Sequence, residues 1–297
     1  MAKEKTVFVC SACGYETPRW LGKCPECGAW NTLEEVAPQE EISVAQKPYK
    51  QRGGTGDGAR PMREIEADNQ VYTSSGLDEL DRVLGGGIVE GALILVGGDP
   101  GIGKSTLLLQ VCDHLSRAGK RVLYVSGEES ARQIKLRANR LGAQGSEMLV
   151  LAENAMDAVE AKLQQIAPDF CVIDSIQTMY RPDMGSAPGS VSQVRESASM
   201  LMRYAKTAGC AMILVGHVTK DGVLAGPRLL EHMVDTVISL EGDRRQMFRL
   251  LRVFKNRFGP NEELLVFRMG GRGMEVVDDP STFFLGDRDA SLSGTAV

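Results

Sequence analysis

Long apolar runs are missing from this chain. No stretch of about 18 consecutive apolar residues occurs, which excludes a transmembrane helix, and the mean hydropathy is −0.14. No apolar segment follows Met1–Lys5, so a secretory signal is not expected. Aromatic residues make up only 5%, too few for broad base-stacking platforms. An excess of positive charge is lacking as well. Lys and Arg number 34 against 39 Asp and Glu, a net charge of −5. The chain is therefore no polybasic coat, and any nucleic-acid surface must be local. Tandem repeats and low-complexity tracts are also absent. What remains is ordinary globular composition, 43% apolar and 25% charged, over 297 residues. That length fits one large or two medium domains. Glycine, at 33 residues, is plentiful and points to sites built from backbone.

Seven cysteines are present, an odd number without a secretion signal, which points to a reducing cytoplasm. Cys112, Cys171 and Cys210 fall in apolar segments and read as small core residues. The other four form two knuckles, Cys10-Ser-Ala-Cys13-Gly and Cys24-Pro-Glu-Cys27-Gly, with ten residues between them. Each pair brings two thiolates to one ion, and the glycine allows the tight turn behind them. Four thiolates suit tetrahedral zinc. Iron in a rubredoxin-like site is the competitor, and disulfides are the reading in which no metal binds. Four protein ligands leave no open position, so such a metal is structural.

These knuckles define a module over 1–33. From 34 to 60 apolar periodicity fails while proline and glycine accumulate, the composition of a linker. Regular structure is expected over 61–286, with a polar tail at 287–297. Within the large unit, apolar runs alternate with helical patterns: Ala92–Gly97, Val122–Ser126, Met148–Leu151, Phe170–Asp174 and Ala211–Gly216 as strands, with helices between them. Continuous apolar runs fit strands buried on both faces, and the alternation predicts a parallel sheet covered by helices. After His232 three strand-like runs, Val234–Leu240, Met247–Lys255 and Leu264–Met269, suggest a partly antiparallel extension. The class is α/β.

Gly98-Asp99-Pro100-Gly101-Ile102-Gly103-Lys104-Ser105 satisfies G-x-x-x-x-G-K-[ST], with an apolar strand entering and a helix leaving. Backbone N–H groups of Gly98 to Thr106 would surround the phosphates of ATP, helped by the helix dipole. Lys104 should reach the β- and γ-phosphates, and the Ser105 hydroxyl should ligate magnesium. Asp174 ends an apolar strand and is the candidate second Mg²⁺ group; the alternative is a cap or turn residue. Glu128, directly after a strand expected beside the phosphate loop, is the candidate base for water. Glu129 reads instead as an acid of the next helix's first turn. His217 follows another strand end, on the edge where open α/β sheets bind ligands, and is a candidate γ-phosphate sensor; the alternative is a structural histidine.

From Arg244 to Asn261 the sequence carries Arg244, Arg245, Arg249, Arg252, Lys255 and Arg257 and no acid. Such a cluster suits a phosphate backbone, though a guarded strand edge would look similar. Strand parity puts Arg249, Lys255 and Arg257 on one face. Two glycine- and proline-rich segments, 181–190 and 219–228, follow strands on the active edge; long loops of this kind are usually functional or disordered, and Arg181, Lys220 and Arg228 are their candidate phosphate contacts. The helix bearing Arg132, Lys135, Arg137 and Arg140 reads as a solvated face.

Taken together, the two knuckles, Leu-Gly-Gly-Gly87 ahead of Gly-Gly-Asp-Pro-Gly-Ile-Gly-Lys104-Ser-Thr, Gly-His217-Val-Thr-Lys-Asp-Gly, Ala-Gly-Pro-Arg-Leu-Leu-Glu-His232 and Lys255-Asn-Arg257-Phe-Gly259 resemble the bacterial RadA (Sms) DNA-repair family. The resemblance implies a RecA-type ATPase core in a hexameric ring, acting on single-stranded DNA in recombination and branch migration beside a recombinase filament or other repair proteins. It implies Lys104 and Ser105 as phosphate and magnesium groups, Asp174 as Walker-B acid, Glu128 as base and His217 as sensor. It further implies that Lys255 and Arg257 reach a neighbouring subunit's nucleotide or the DNA. The family continues into a domain resembling the Lon protease fold, which would begin where this chain stops, so a truncated or short form is expected.

The sequence therefore reads as a cytoplasmic, zinc-containing, DNA-dependent ATPase with helicase-like action and no membrane association. The alternative is a DNA-binding or protein-bridging scaffold in which ATP gates assembly and hydrolysis is incidental. A small-molecule kinase leaves the knuckles and the basic cluster without a role.

Overall fold

The computed structural model describes residues 7–10, 15–36, 71–143, 147–216, 228–242, 247–261 and 263–277. Cys13, His217, Lys220, Arg244, Arg245, most of the expected linker and the expected tail lie outside the described residues, and Arg228 is described in its backbone alone. The cysteine-bearing module is a small antiparallel sheet in which β1 (Val7–Cys10) lies between β2 (Glu16–Thr17) and β3 (Leu33–Val36).

The larger unit opens with β4 (Tyr72–Thr73), α1 (Asp78–Val83) and β5 (Ile88–Val89). Then come β6 (Leu93–Gly98), α2 (Lys104–Arg117), β7 (Val122–Ser126), α3 (Ala131–Leu141), β8 (Met148–Ala152), α4 (Met156–Ile166), β9 (Phe170–Asp174), α5 (Val191–Ala208) and β10 (Ala211–Val215). The chain continues through α6 (Arg228–Met233), β11 (Thr236–Glu241), β12 (Phe248–Asn256), β13 (Leu264–Gly270) and β14 (Gly273–Val276). Nine strands form one sheet in the order β14-β13-β12-β11-β6-β10-β9-β7-β8. From β11 to β8 neighbours run parallel, and β11 through β14 pair antiparallel.

Alternation sorts each central strand between two apolar layers. Ile94 and Val96 face α2 with Leu107, Leu108 and Val111, while Leu93 and Leu95 face α4 and α5 with Val159, Leu163 and Leu201. Both faces are covered, which is why these strands read as continuous apolar runs. The helices begin and end on sequence signals. At the start of α3, Ser130 and Gln133 form a reciprocal capping box, and Gly142 ends the helix at φ 70°. Ser190 caps α5 by accepting from the Gln193 amide, and Gly209 ends it at φ 69°. Cys112, Cys171 and Cys210 are fully buried core residues, as their surroundings predict.

Two expectations fail here. The strand leading to Glu128 does not flank the phosphate-loop strand, because β10 and β9 lie between β6 and β7. Nor do Arg249 and Lys255 share a face. In the β11–β12 ladder Ile238 pairs with Val253, but the adjacent Val237 pairs with Lys255. Phe254 is thus the extra residue of a β-bulge, and one inserted residue reverses the facing of everything after it. Arg249 points into the α2 side and is only 5% exposed, while Lys255 points to the α6 side.

Candidate active site and metal centre

The phosphate loop joins β6 to α2. Gly98, Gly101 and Gly103 all have positive φ (145°, 78° and 118°), conformations that side chains rarely adopt. At Gly98 and Gly103 space is restricted too: a Cβ would lie 2.4 Å from the Leu240 carbonyl and 2.2 Å from the Met274 methyl. Lys104 is buried, and its ammonium donates to the Gly98 and Asp99 carbonyls at 2.7 and 3.0 Å, back across the loop itself.

Asp174, at the end of β9, meets this loop. Its Oδ2 accepts the Ser105 hydroxyl at 2.7 Å and the Tyr124 hydroxyl at 2.5 Å. Burial, with the Asp174 carboxylate beside it, holds the Tyr124 phenol well above its ordinary pKa, so it is a donor to that carboxylate at neutral pH. Tyr124 lay outside the expected site. Its place inside the apolar run Val122–Val125 hides it, since a buried strand tyrosine is usually core. The pairing of Ser126 with Asp174 brings the loop after β7 alongside. There Ser175, the residue after Asp174, donates its hydroxyl to Glu128 Oε1 at 2.5 Å. Glu129 is instead paired with Arg137 of α3. Gly127 permits this approach, because a Cβ there would fall 2.3 Å from the Thr178 hydroxyl.

Ser105 and Asp174 are the donor set a magnesium ion on ATP requires, one hydroxyl and one carboxylate within hydrogen-bond range. In the N-terminal module the Cys10, Cys24 and Cys27 sulfurs lie within 4.8 Å of one another, with Cys10 and Cys27 at 3.7 Å. Tetrahedral zinc at about 2.3 Å from each sulfur separates its ligands by about 3.8 Å, so this spacing fits the metal. Both tryptophans of the chain are in this module and exposed, Trp20 at 55% and Trp30 at 70%, with the Lys23 ammonium 5.5 Å from the Trp30 ring centre.

The basic cluster separates into individual environments. Arg249 donates through Nε to the Ile102 carbonyl of the phosphate loop at 2.9 Å. Arg252 is exposed. Lys255 donates to the Glu231 and Val234 carbonyls at the end of α6, at 2.6 and 2.7 Å, and burial together with Arg257 lowers its pKa. Arg257 pairs with the buried Asp235, which also accepts from Lys206 and from the Leu93 amide. Asn256 between them donates to the Leu84 carbonyl, and Gly259 packs on Gly85. Since Asn256 lies opposite Thr236 and Thr236 opposite Ile94, the Lys-Asn-Arg-Phe-Gly segment sits at the edge of the sheet away from the phosphate loop. Gly98 lies five residue steps along β6 from Leu93, about 17 Å. In the 181–190 segment Arg181 is held by Asp183 at 2.7 and 3.0 Å, and the buried Gln193 donates to the Arg181 and Ser186 carbonyls.

Fold and site together define a RecA/KaiC-like α/β protein with a P-loop, joined to a cysteine-rich metal module. A family described as AAA domain matches residues 67–223, more than half of the chain, and the chain belongs to that family. A rubredoxin metal binding domain matches residues 8–35. The resemblance read from the motifs extends over the full length: the chain is 50% identical to DNA repair protein RadA of Bacillus subtilis (strain 168) over 297 residues, and 50% identical to that of Listeria monocytogenes over 296. It spans 65% and 64% of those relatives. Among solved structures, the KaiC-like protein PH0186 of Pyrococcus horikoshii OT3 matches with a TM-score of 0.58 at 20% identity, covering 70% of this chain and all of that one. That likeness concerns the fold. No helix among the described residues is long and apolar enough to cross a membrane.

Proposed function

We propose that this chain is a DNA-dependent ATPase that works on single-stranded DNA during repair, in the cytoplasm, as a ring of identical subunits of which six is the expected number. Residues 61–286 form its ATPase unit and 1–33 its zinc module. The observation that carries the reading is the hydrogen bond between Ser105 of the phosphate loop and Asp174, with Glu128 held by Ser175, the next residue along from Asp174. Bound Mg²⁺ supplies charge neutralisation at the β- and γ-phosphate oxygens. Lys104 is the mobile cation of the loop and exchanges its two backbone carbonyls for phosphate oxygens. Asp174 and Ser105 hold the metal side, with Tyr124 fixing the Asp174 carboxylate. Glu128 accepts a proton from, and orients, the attacking water. His217 reads the γ-phosphate.

Lys255 and Arg257 cannot serve the phosphate loop of their own subunit, which lies at the other edge of the sheet. They act on the site of a neighbouring subunit, where a cation stabilises charge on the transferring phosphoryl group. A motor must couple nucleotide state to its grip on DNA. Anisotropy of a labelled oligo(dT) should therefore give dissociation constants that differ several-fold between a non-hydrolysable ATP analogue and ADP. Equal affinities in both states would favour the scaffold reading.

A further inference from the structure

Arg249 is a buried guanidinium at the near end of β12, in a stretch whose charge otherwise suggests contact with nucleic acid. Its Nε donates to the Ile102 carbonyl at 2.9 Å, in the middle of the phosphate loop, and its Nη1 donates to the Phe248 carbonyl at 2.7 Å. The peptide that joins Ile102 to Gly103 is trans, so its carbonyl and its N–H point in opposite directions. Fixing the carbonyl outward, toward β12, aims the Gly103 N–H inward, where the loop receives phosphate. The neighbouring contacts support the same face of the loop. Met274 and Met269 pack against Gly103, and Gln110 of α2 bonds the Met274 backbone in both directions at 2.9 and 3.1 Å. The antiparallel extension of the sheet is thus seated on the back of the phosphate loop.

From this geometry we infer that Arg249 is a positioning residue for nucleotide binding: it pre-orients the Gly103 amide toward the β-phosphate, and it makes no contact with DNA. The inference rests on the reading of the loop as an ATP site. Two substitutions separate the hydrogen bond from the charge. Arg249→Lys keeps the positive charge but puts a methylene where Nε was. Arg249→Gln loses the charge but keeps an N–H donor the same number of bonds from Cα.

The test is equilibrium binding of a fluorescent ADP, in Mg²⁺ and in EDTA, by the full chain, with nucleotide-free melting as the check on folding. Arg249→Lys should bind ADP about tenfold more weakly in both buffers, the loss of one charge-assisted hydrogen bond, while Arg249→Gln stays within about threefold of wild type. Wild-type affinity in both variants, or the reverse ranking, would overturn the inference. If one variant fails to fold, the other decides: Arg249→Lys at wild-type affinity, or folded Arg249→Gln binding about tenfold more weakly than wild type, contradicts it. A wild-type chain that binds no ADP would instead remove the ATPase reading itself.

Discussion

Ser105 and Asp174 stand 69 residues apart in the chain and meet through one 2.7 Å hydrogen bond. The Tyr124 hydroxyl donates to the same carboxylate oxygen. That oxygen is held from two sides, by a group of the phosphate loop and by a buried strand residue. Since the tyrosine ring is packed in the core, it orients the carboxylate whether or not Ser105 has turned to a metal.

Tyr124→Phe should keep the ring and remove the orienting donor. Half-maximal activation by Mg²⁺ should rise roughly tenfold, the scale of a hydrogen bond to a charged group. Nucleotide affinity in EDTA should stay unchanged. Calorimetric titration with and without Mg²⁺ reads both quantities, and an unchanged Mg²⁺ dependence would remove Tyr124 from the metal side of the site.

Much of this was legible in the sequence. The phosphate loop, the acid ending β9 and the limits of α3 are local signals, carried by glycine conformation, apolar runs and a capping box. The faces of the basic cluster were not. Parity along β12 breaks at Phe254, and a bulge depends on the partner strand, not on the strand's own pattern. Tyr124 was hidden for a similar reason, since only the β7–β9 neighbour relation makes it a partner of Asp174. Strand order in a parallel sheet is likewise set by long crossovers that leave no local mark.

Arg257→Ala, at the sheet edge opposite the phosphate loop, should leave ADP affinity intact and lower the hydrolysis rate of the assembled protein by roughly a thousandfold, as removal of a trans arginine does. Mixing it with Lys104→Ala should restore part of the rate, because each variant contributes the part the other lacks. Steady-state hydrolysis across mixing ratios checks this. A linear sum of two dead proteins would place Arg257 in a structural role with Asp235.

Gly85 and Gly259 approach so closely that a Cβ on Gly85 would sit 2.6 Å from the Phe258 carbonyl, at a φ of 90°. Gly85→Ala should therefore cost roughly 2 kcal/mol of stability through overpacking and backbone strain. Urea unfolding measures it, and a loss indistinguishable from zero would contradict the contact.

Thiol chemistry should separate the two cysteine groups. Burial raises the pKa of Cys112 and Cys171 far above the ordinary range and pushes Cys210 up to about 12, so at pH 8 these thiols are protonated and shielded. In the folded, zinc-loaded protein iodoacetamide should spare all three. Chelation should release one zinc per chain and expose Cys10, Cys13, Cys24 and Cys27 to the reagent while the core thiols stay unlabelled. Peptide mass spectrometry identifies the sites, and labelling of Cys171 in folded protein would contradict the core assignment.

The most direct test of the account is ATP hydrolysis by the wild-type chain with and without single-stranded DNA, beside Lys104→Ala and Glu128→Gln. The account predicts a rate that DNA raises, that Lys104→Ala abolishes together with nucleotide binding, and that Glu128→Gln abolishes while ATP still binds. A rate indifferent to DNA, or one that survives in Glu128→Gln, would contradict it.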